Sequence, residues 1–375
     1  MDYRDSVDEA AFREKLKNWL TERAGDFAAS GDEYWARQAD WHRALYAAGF
    51  FGLSWPREYG GRELPPVYDV ILDEELARAG APPRPSLGYL VQGLGRHGHE
   101  ELRRRFLPGM INGTERWCQG FSEPGAGSDL ASLRTTATRD GDSGEYVVRG
   151  HKIWTSYSDV ADWCLLLART DPDAPRHRGL SGFVISMHQP GIEQRPLRMI
   201  NGVTTEFGQV LFDGARVPAD CMVGAPGEGW ALAMTIVSHE REPAELGYSA
   251  RYGKLVRDLV KRVGDKPLPT ELAWAVVQSE MLRLHVRRRL SERLDGPAGF
   301  CQQASAEHGP QGSLDKLLMT WTEQAAGHAA IAVGGAGDPE LLSAYLYSRA
   351  QSVMGGTSQI QRNLIANRIL ELPTT

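Results

Sequence analysis

The spacing of apolar residues changes twice along this 375-residue chain, and the two changes restrict the fold more than any other feature of the sequence. In the first part, residues such as Phe12, Leu16 and Leu20 recur every four positions, which predicts helices. From Trp117, short runs of β-branched and aromatic residues stand between Gly, Asp and Pro turns, which predicts strands. Helical spacing returns at Gly229 and continues to the end of the chain.

We therefore predict an α+β fold with an N-terminal α-helical domain (1–115), a β-barrel-like or sandwich domain (116–223) and a C-terminal bundle of four or five helices (224–375). Three domains also fit the chain length, since one domain typically holds ~100–200 residues. The predicted strands are Leu133–Thr138, Tyr146–Arg149, Trp163–Ala168, Gly182–Met187 and Gln209–Phe212. The predicted C-terminal helices are Trp230–Arg262, Thr270–Asp295, Ser313–Gly334, Pro339–Val353 and Ser358–Leu372.

The composition argues against several classes of function. The formal net charge is −6, whereas a surface that follows phosphates carries a basic excess, so we expect no nucleic-acid partner. No run approaches the ~18 apolar residues of a membrane span, and the N-terminus lacks the basic and apolar regions of a signal peptide. The four cysteines lack Cys-x-x-Cys spacing, which indicates free thiols and a cytoplasmic location. We expect no metal site.

The stretch from Trp117 to Thr170 combines glycines, hydroxyls, an acid and a tryptophan at spacings that indicate a ligand site. Within it, Gly125, Gly127 and Ser128 form a small-residue turn where a ligand can approach the backbone closely. A plain turn closed by the side chain of the following aspartate is the alternative for this segment.

This stretch resembles the signature block of the acyl-CoA dehydrogenase family in the residues FSEPGAGSDLASLRTTATRDGDSGEYVVRGHKIWTSYSDVADW. The similarity extends to GGTSQIQRNLIANRIL near the C-terminus and to Pro56, Tyr59, Gly60 and Gly61 near the start, and it covers nearly the whole chain. The resemblance implies an FAD cofactor, an acyl-CoA thioester as substrate and an electron-transfer flavoprotein as electron acceptor.

A flavin ring needs hydrogen-bond donors along one edge and an apolar wall, and its pyrophosphate needs backbone N–H groups or a helix N-terminus. The resemblance assigns FAD binding to Gln119, Phe121, Ser122, Trp154, Ser156, Thr357 and Gln359. Family members carry threonine where Ser122 and Ser156 stand, and both replacements keep the hydroxyl. A serine–tryptophan pair in an ordinary β core is the alternative. The resemblance also assigns acyl-CoA binding to Ser128, Arg241 and Gly356.

Desaturation of a thioester requires a base for the α-proton, a flavin for the hydride and donors for the developing enolate oxygen. Family members commonly carry the base as a glutamate directly before the Gly-Thr of the C-terminal motif, but here that residue is Gly355. Other members place it before an arginine on a helix of the C-terminal domain, which His239-Glu240-Arg241 matches. The resemblance thus implies Glu240 as base, Arg241 as a positioning group and the Gly355 N–H as a donor to the thioester oxygen.

Burial beside a flavin and an acyl chain should raise the pKa of Glu240 toward neutrality, as suits a general base. The absence of a side chain at Gly355 should leave room for the Glu240 carboxylate, and it permits a wider or branched substrate. A structural ion pair between Glu240 and Arg241 is the alternative, and Glu242 and Glu245 are competing candidates for the base.

The part of the family pattern that reaches the FAD of a neighbouring subunit is incomplete. Arg251-Tyr252-Gly253 stands too early for the family's Arg-x-x-Phe-Gly segment, and 331–335 lacks the glutamine of its Gln-x-x-Gly-Gly segment. A homodimer would therefore hold the pyrophosphate and adenine weakly. We expect an oligomer, either a homodimer or an α2β2 tetramer in which a related subunit completes the FAD site.

Three functions fit these observations. The first is an FAD-dependent acyl-CoA dehydrogenase that forms an α,β double bond. The second is a non-catalytic subunit that completes the site of an active partner, which the missing glutamate at Gly355 suggests. The third is a flavin-dependent oxidase or hydroxylase on the same fold, although Ser128 would then have no CoA to contact.

Overall fold

The computed structural model describes residues 4–27, 34–204, 206–241, 248–291 and 311–373. The helices are α1 (Val7–Arg23), α2 (Tyr34–Ala47), α3 (Val67–Ala79), α4 (Gly88–His97), α5 (Glu100–Asn112), α6 (Gly229–His239), α7 (Tyr248–Val263), α8 (Thr270–Ser291), α9 (Gln311–Gly334), α10 (Pro339–Ala350) and α11 (Ser358–Arg368). The strands are β1 (Trp117–Gly120), β2 (Thr136–Arg139), β3 (Tyr146–Ser156), β4 (Trp163–Arg169), β5 (Leu180–Ser186), β6 (Ile192–Pro196), β7 (Phe207–Val217) and β8 (Met222–Val223). The predicted α+β class, with helical regions before and after a β region, is confirmed.

An aromatic core holds the N-terminal helices together. Leu16 and Leu20 on α1 and Trp41 and Leu45 on α2 are all buried in it. The rings of Trp19 and Trp41 stack, with their centroids 5.5 Å apart. The four-residue spacing of apolar residues in the sequence therefore marks the buried faces of these helices.

A glycine on α4 allows α6 to pack closely against it. A Cβ atom at Gly93 would lie only 2.5 Å from Cγ1 of Ile236 on α6, so a larger residue would push the two helices apart. The His97 ring on α4 lies 2.8 Å from the Thr235 hydroxyl on α6. These contacts fix the C-terminal end of α6, which Glu240 directly follows.

The β region is one sheet of eight strands in the order β6-β7-β3-β2-β4-β5-β8, with β1 paired to β4 in parallel. One face packs against the N-terminal helices and α6 through residues such as Leu165, Leu167 and Val184. The other face encloses a second core made only of residues from the β region, including Phe183 on β5 and Phe212 on β7. The sheet therefore curls around its own core, as a barrel-like or sandwich arrangement requires.

The sequence located most strands but not their ends. β2 begins at Thr136 rather than at Leu133, and β3 runs from Tyr146 to Ser156, well past its predicted end at Arg149. Three strands were not predicted: β1 contains four residues, β6 is a half-exposed edge strand rich in polar residues, and β8 contains two residues. Polar edge strands lack the hydrophobic alternation by which strands are recognised.

The C-terminal helices α7 to α11 pack around the long central helix α9, as a bundle of four or five helices predicts. The prediction of one helix over Trp230–Arg262 is wrong: α6 ends at His239 and the next described helix begins at Tyr248. Residues 242–247 lie outside the described part of the chain, and their sequence includes Pro243, which disfavours a continuous helix. None of the described helices combines the length and the apolar character needed to cross a membrane.

A buried ion pair anchors the segment that follows β1. The Lys152 side chain on β3 is fully buried, and its Nζ donates to Oε1 of Glu123 and to the Phe121 carbonyl, both at 2.9 Å. The Glu123 carboxylate also accepts hydrogen bonds from the backbone N–H groups of Arg134 and Thr135. Burial alone would raise the pKa of Glu123, but the Lys152 charge and these donors hold it below its usual value. The pair fixes the chain direction through Phe121.

Lys152→Met should lower the free energy of unfolding by about 3 kcal/mol, because it leaves the Glu123 carboxylate buried without its cation. The matched control is Arg149→Met on the same strand, where the ion pair with Asp213 is exposed on both sides. That variant should lose less than ~1 kcal/mol. Urea unfolding of the three proteins measures the difference. Equal losses in the two variants would show that the Glu123–Lys152 pair does not anchor the segment.

Candidate active site

Two segments that are distant in sequence lie side by side at one end of the sheet. The Ile153 N–H donates to the Ser122 carbonyl at 3.0 Å, which places Phe121 and Ser122 beside Trp154. The pairing of β3 with β7 shifts register between Ile153 and Thr155, and Trp154 has a left-handed backbone with φ of 61°. Its side chain is 60% exposed. An exposed tryptophan in a strained backbone conformation at a bulge is typical of a ligand wall.

The glycine turn after Glu123 is open to an incoming ligand. Glu123 and Ala126 exchange two backbone hydrogen bonds, so the turn is closed by the main chain. A Cβ atom at Gly125 or Gly127 would meet no atom within 4 Å, and Ser128 is exposed. The carboxylate of the following residue, Asp129, pairs with Arg176 at 3.1 Å instead of closing the turn.

The end of β3 connects to the C-terminal bundle through one half-buried residue, Glu206. The Tyr157 N–H donates to the Glu206 carbonyl at 2.8 Å, and the Tyr347 hydroxyl on α10 donates to the Glu206 carboxylate at 2.6 Å. Burial raises the pKa of Glu206. Because Ser156 directly precedes Tyr157, these contacts bring the tryptophan-bearing segment next to the helix that leads to Gly355.

The turn between α10 and α11 contains two glycines with left-handed backbones, Gly355 at φ 61° and Gly356 at φ 92°. The next residue, Thr357, is the N-cap of α11, and its hydroxyl accepts a hydrogen bond from the Ile360 N–H at 3.2 Å. The N-terminus of a helix favours anionic groups such as phosphate. Gln359 lies exposed in the first turn of α11, so it can reach a ligand bound there.

The structure brings Glu240 and Arg241 against the same glycine turn. The Arg241 Nε donates to the Gly355 carbonyl at 2.9 Å. A Cβ atom at Gly355 would lie 3.7 Å from Glu240 Oε1, and one at Gly356 would lie 2.7 Å from Arg241 Nη2. The glycine turn therefore provides the space that the two side chains occupy.

The Glu240 carboxylate is half-buried, and none of the described residues donates a hydrogen bond to it. Burial raises its pKa, while the nearby charges of Arg241 and Lys316 act in the opposite direction. A carboxylate with a raised pKa and no donor is suited to accept a proton. Glu242 and Glu245, the competing candidates, lie outside the described residues.

The remaining predicted residues lie close to these segments. Gln119 is half-buried on β1, in register with Leu165 of β4, and Phe121 is buried just beyond the end of β1. The sequence did not single out Lys152, Lys316 or Glu206. For Lys316 the available signal was a lysine on α9, a helix whose residues are mostly buried. Lys152 carried no such signal, since only three of the eleven residues of β3 are buried.

The residues present fit a bound flavin. The exposed Trp154 offers a wall for the ring, and Ser122 and Ser156 lie beside it with their hydroxyls. The open turn at Gly125 and Gly127 and the N-terminus of α11 offer backbone N–H groups. Among the described residues, no group of three or more His, Cys, Asp or Glu side chains is placed to hold a metal ion.

Three family models match the chain in succession. They describe the acyl-CoA dehydrogenase N-terminal domain over residues 6–114, the middle domain over 118–215 and the C-terminal domain over 227–370. The chain therefore belongs to the acyl-CoA dehydrogenase family, as its sequence resemblance predicts. The chain is therefore an oxidoreductase, and its family is a family of flavoproteins.

The chain is also similar to individual proteins and solved structures. The chain is 38% identical over 392 residues to the acyl-CoA dehydrogenase IpdE1 of Mycobacterium tuberculosis, covering 96% of this chain and 97% of that protein. It is 36% identical to the acyl-CoA dehydrogenase FadE34 of the same organism, covering 98% of this chain and 52% of that protein. A structure described as the Tcur3481-Tcur3483 steroid ACAD is 26% identical, with a TM-score of 0.84 over the whole of both chains. The ChsE4-ChsE5 complex from Mycobacterium tuberculosis is 25% identical, with a TM-score of 0.82 over the whole of both chains.

Gly355→Ala should lower the free energy of unfolding by about 1–2 kcal/mol, because the left-handed backbone at this position disfavours any Cβ atom. The new Cβ would also lie 3.3 Å from Cε of Lys316. Gly337→Ala is the matched control, since a Cβ atom there would meet nothing within 4 Å. Urea unfolding should show little change or a small gain for the control. Equal stability of the two variants would contradict the tight turn described here.

Proposed function

We propose that this chain is a FAD-dependent acyl-CoA dehydrogenase that forms an α,β double bond in an acyl-CoA thioester, with Glu240 as its base. The observation that carries this proposal is the position of the Glu240 carboxylate, which faces the side-chain-free Gly355 and receives no hydrogen bond from the described residues. The usual family position for the base is Gly355 itself, so Glu240, directly after α6, takes over that role.

The predicted site residues each have a part in this reaction. Phe121, Ser122, Trp154 and Ser156 would hold the flavin ring, with Gln119, Thr357 and Gln359 as further contacts. Bound FAD supplies the acceptor for the hydride that leaves the β-carbon. The Gly355 N–H donates to the thioester oxygen, which stabilises the negative charge that develops there. Ser128, Arg241 and Gly356 would bind the acyl-CoA, and Arg241 also holds the turn through the Gly355 carbonyl.

The raised pKa of Glu240 suits a base that must remove a weakly acidic proton from carbon. Burial is the main cause of the shift, because a charged carboxylate loses hydration there. Since only the ionised form accepts a proton, activity should be present above this pKa and should be lost as the pH falls through it.

We infer that the acyl group is bulky. The support is that one structural neighbour, 26% identical, is described as a steroid ACAD. A polycyclic acyl-CoA is therefore the substrate class that we propose.

We also propose that the working enzyme is an α2β2 hetero-oligomer with a related subunit. Two structural neighbours are described by paired names, as assemblies of two chains. A stripe of exposed apolar residues on α8 offers a surface for subunit contact: Trp274, Val277, Met281 and Leu284 follow each other at three- and four-residue spacing, with Trp321 exposed on α9. Exposed apolar stripes of this kind mark protein interfaces.

An electron-transfer flavoprotein would take the electrons from the reduced enzyme. Free Cys118 and Cys164 support a cytoplasmic location.

Glu240→Gln should reduce desaturation of a polycyclic acyl-CoA by about 10²–10⁴-fold, because a general base contributes a factor of this size. The flavin absorbance should stay unchanged. Glu14→Gln is the matched control, since Glu14 lies exposed on α1 and should affect neither activity nor flavin content. Activity is followed with an artificial electron acceptor. Full activity in Glu240→Gln would assign the base elsewhere and favour the non-catalytic subunit.

The purified chain alone should contain less than one FAD per chain, and co-expression with a related subunit should restore full loading. Met281→Glu places a charge inside the apolar stripe of α8 and should weaken assembly by more than about tenfold, since burial of an unpaired charge is costly. Glu14→Lys on the exposed face of α1 is the control and should leave assembly unchanged. Native mass spectrometry and flavin absorbance provide the measurements. A stable homo-oligomer with one FAD per chain would contradict the proposed hetero-oligomer.

A further inference from the structure

A lysine is buried in the C-terminal bundle next to the glycine turn. Lys316 lies on α9 and is only 3% exposed, although its ammonium group carries a charge that water would hydrate strongly. Its Nζ donates to the Thr320 hydroxyl at 3.0 Å and to the Gln351 carbonyl. Both acceptors are neutral, so these hydrogen bonds satisfy the ammonium group without neutralising its charge.

Lys316 and Glu240 approach Gly355 from two different elements. A Cβ atom at Gly355 would lie 3.3 Å from Cε of Lys316 and 3.7 Å from Oε1 of Glu240. The lysine stem and the carboxylate therefore line the same small space beside one glycine. Gln351, which accepts from Lys316, lies at the end of α10 and leads directly into this turn.

The charged groups around this space can be named element by element. Arg241, which follows α6 together with Glu240, is held by its hydrogen bond to the Gly355 carbonyl. On α9 itself, Glu323 is the other carboxylate that acts on Lys316, and it accepts a hydrogen bond from the Tyr252 hydroxyl on α7 at 2.6 Å. Among the described residues of the turn and of α11, Gln351 and Gln361 contribute uncharged groups.

Resting on the function proposed above, we propose that Lys316 is a positioning residue for the base: it holds the turn that carries Gly355 and, through its charge, keeps the Glu240 carboxylate ionised before the proton is removed. Burial favours the neutral form of Glu240, and a cation within a few ångströms opposes that effect. Arg241 supplies one such cation and Lys316 supplies the second. After proton transfer, the neutral Glu240 leaves Lys316 bound to Thr320 and Gln351, so the turn keeps its shape through the reaction.

The electrostatic surroundings agree with this role. Burial lowers the pKa of Lys316 to about 8, with Glu240 and Glu323 opposing the shift. Lys316 is therefore charged at neutral pH, when Glu240 must be ionised. The charge has a cost in stability: above pH 8 the folded protein gives up the lysine proton while the unfolded chain keeps it up to about 10.4, so stability rises with pH in that interval.

Lys316→Met removes the charge and keeps much of the apolar stem. We expect the acidic limb of the pH profile of kcat/KM to move upward by about one pH unit, because the Glu240 carboxylate loses a cation that favours its ionised form. Lys254→Met is the matched control, since Lys254 forms an exposed pair with Asp258 on α7 and should leave the profile unchanged. Lys316→Gln tests the same loss of charge with a side chain that still donates to the Gln351 carbonyl, in case the methionine variant does not fold.

Two measurements on the resting protein provide a readout besides activity. The carboxyl carbon of Glu240, observed by NMR in protein labelled with ¹³C-glutamate and assigned with Glu240→Gln, should titrate at higher pH in Lys316→Met. Urea unfolding should show that the rise in stability between pH 8 and 10 in the wild type is absent from this variant.

An unchanged acidic limb and an unchanged Glu240 titration in both Lys316 variants would overturn the proposal, even if activity fell. This outcome differs from failure of the proposed function. If Glu240→Gln remained active, the base itself would be assigned wrongly. If Glu240→Gln were inactive while the Lys316 variants kept the wild-type profile, Glu240 would remain the base and Lys316 would have a structural role only.

Discussion

The two adjacent glycines at the turn between α10 and α11 are the constraint on which the candidate active site depends. Gly355 and Gly356 both have left-handed backbones. A Cβ atom at Gly355 would crowd Lys316, and one at Gly356 would crowd Gln361 and Arg241. A glycine pair is destabilising in itself, because the unfolded chain loses more conformational freedom there on folding. The turn offsets this cost with the contacts it permits, since Arg241 and Gln361 both donate to its carbonyl groups.

Buried charge is organised differently in the two halves of the site. In the β region, Lys152 has its carboxylate partner, Glu123, within hydrogen-bond distance, and the pair fixes the backbone near Phe121. In the helical bundle, Lys316 bonds to neutral oxygens, so its charge remains available to act on Glu240. A paired charge stabilises one geometry, whereas an unneutralised charge sets the protonation state of its neighbour. The first arrangement suits a cofactor wall and the second suits a base.

The sequence predicted the order of helices and strands because the four-residue apolar spacing of helices, as at Leu16 and Leu20, differs from the short continuous apolar run of a strand such as β4. It predicted the site residues from a resemblance, and the structure places Glu240, Arg241 and Gly355 together. It did not reveal Lys316, since proximity across 76 residues has no local signature. The sequence pattern also failed to show that α6 ends at His239. The segments of α6 and α7 carry similar apolar spacing, and only the proline between them indicates that the helix is not continuous.

In the proposed reaction the base lies at the end of α6 instead of on the turn, and this changes what each element must do. A glutamate on the turn would combine the base and the enolate-stabilising N–H in one short segment, and movement of that segment would affect both. With Glu240 at the end of α6, the proposed base is instead positioned by the close contact of α4 and α6 at Gly93, while the turn retains only the proposed backbone donor. The two functions are then held by separate elements, and Arg241 and Lys316 are the side chains that connect them. Because both connecting side chains are cations, the link that fixes the geometry of the site also favours the ionised form of its base.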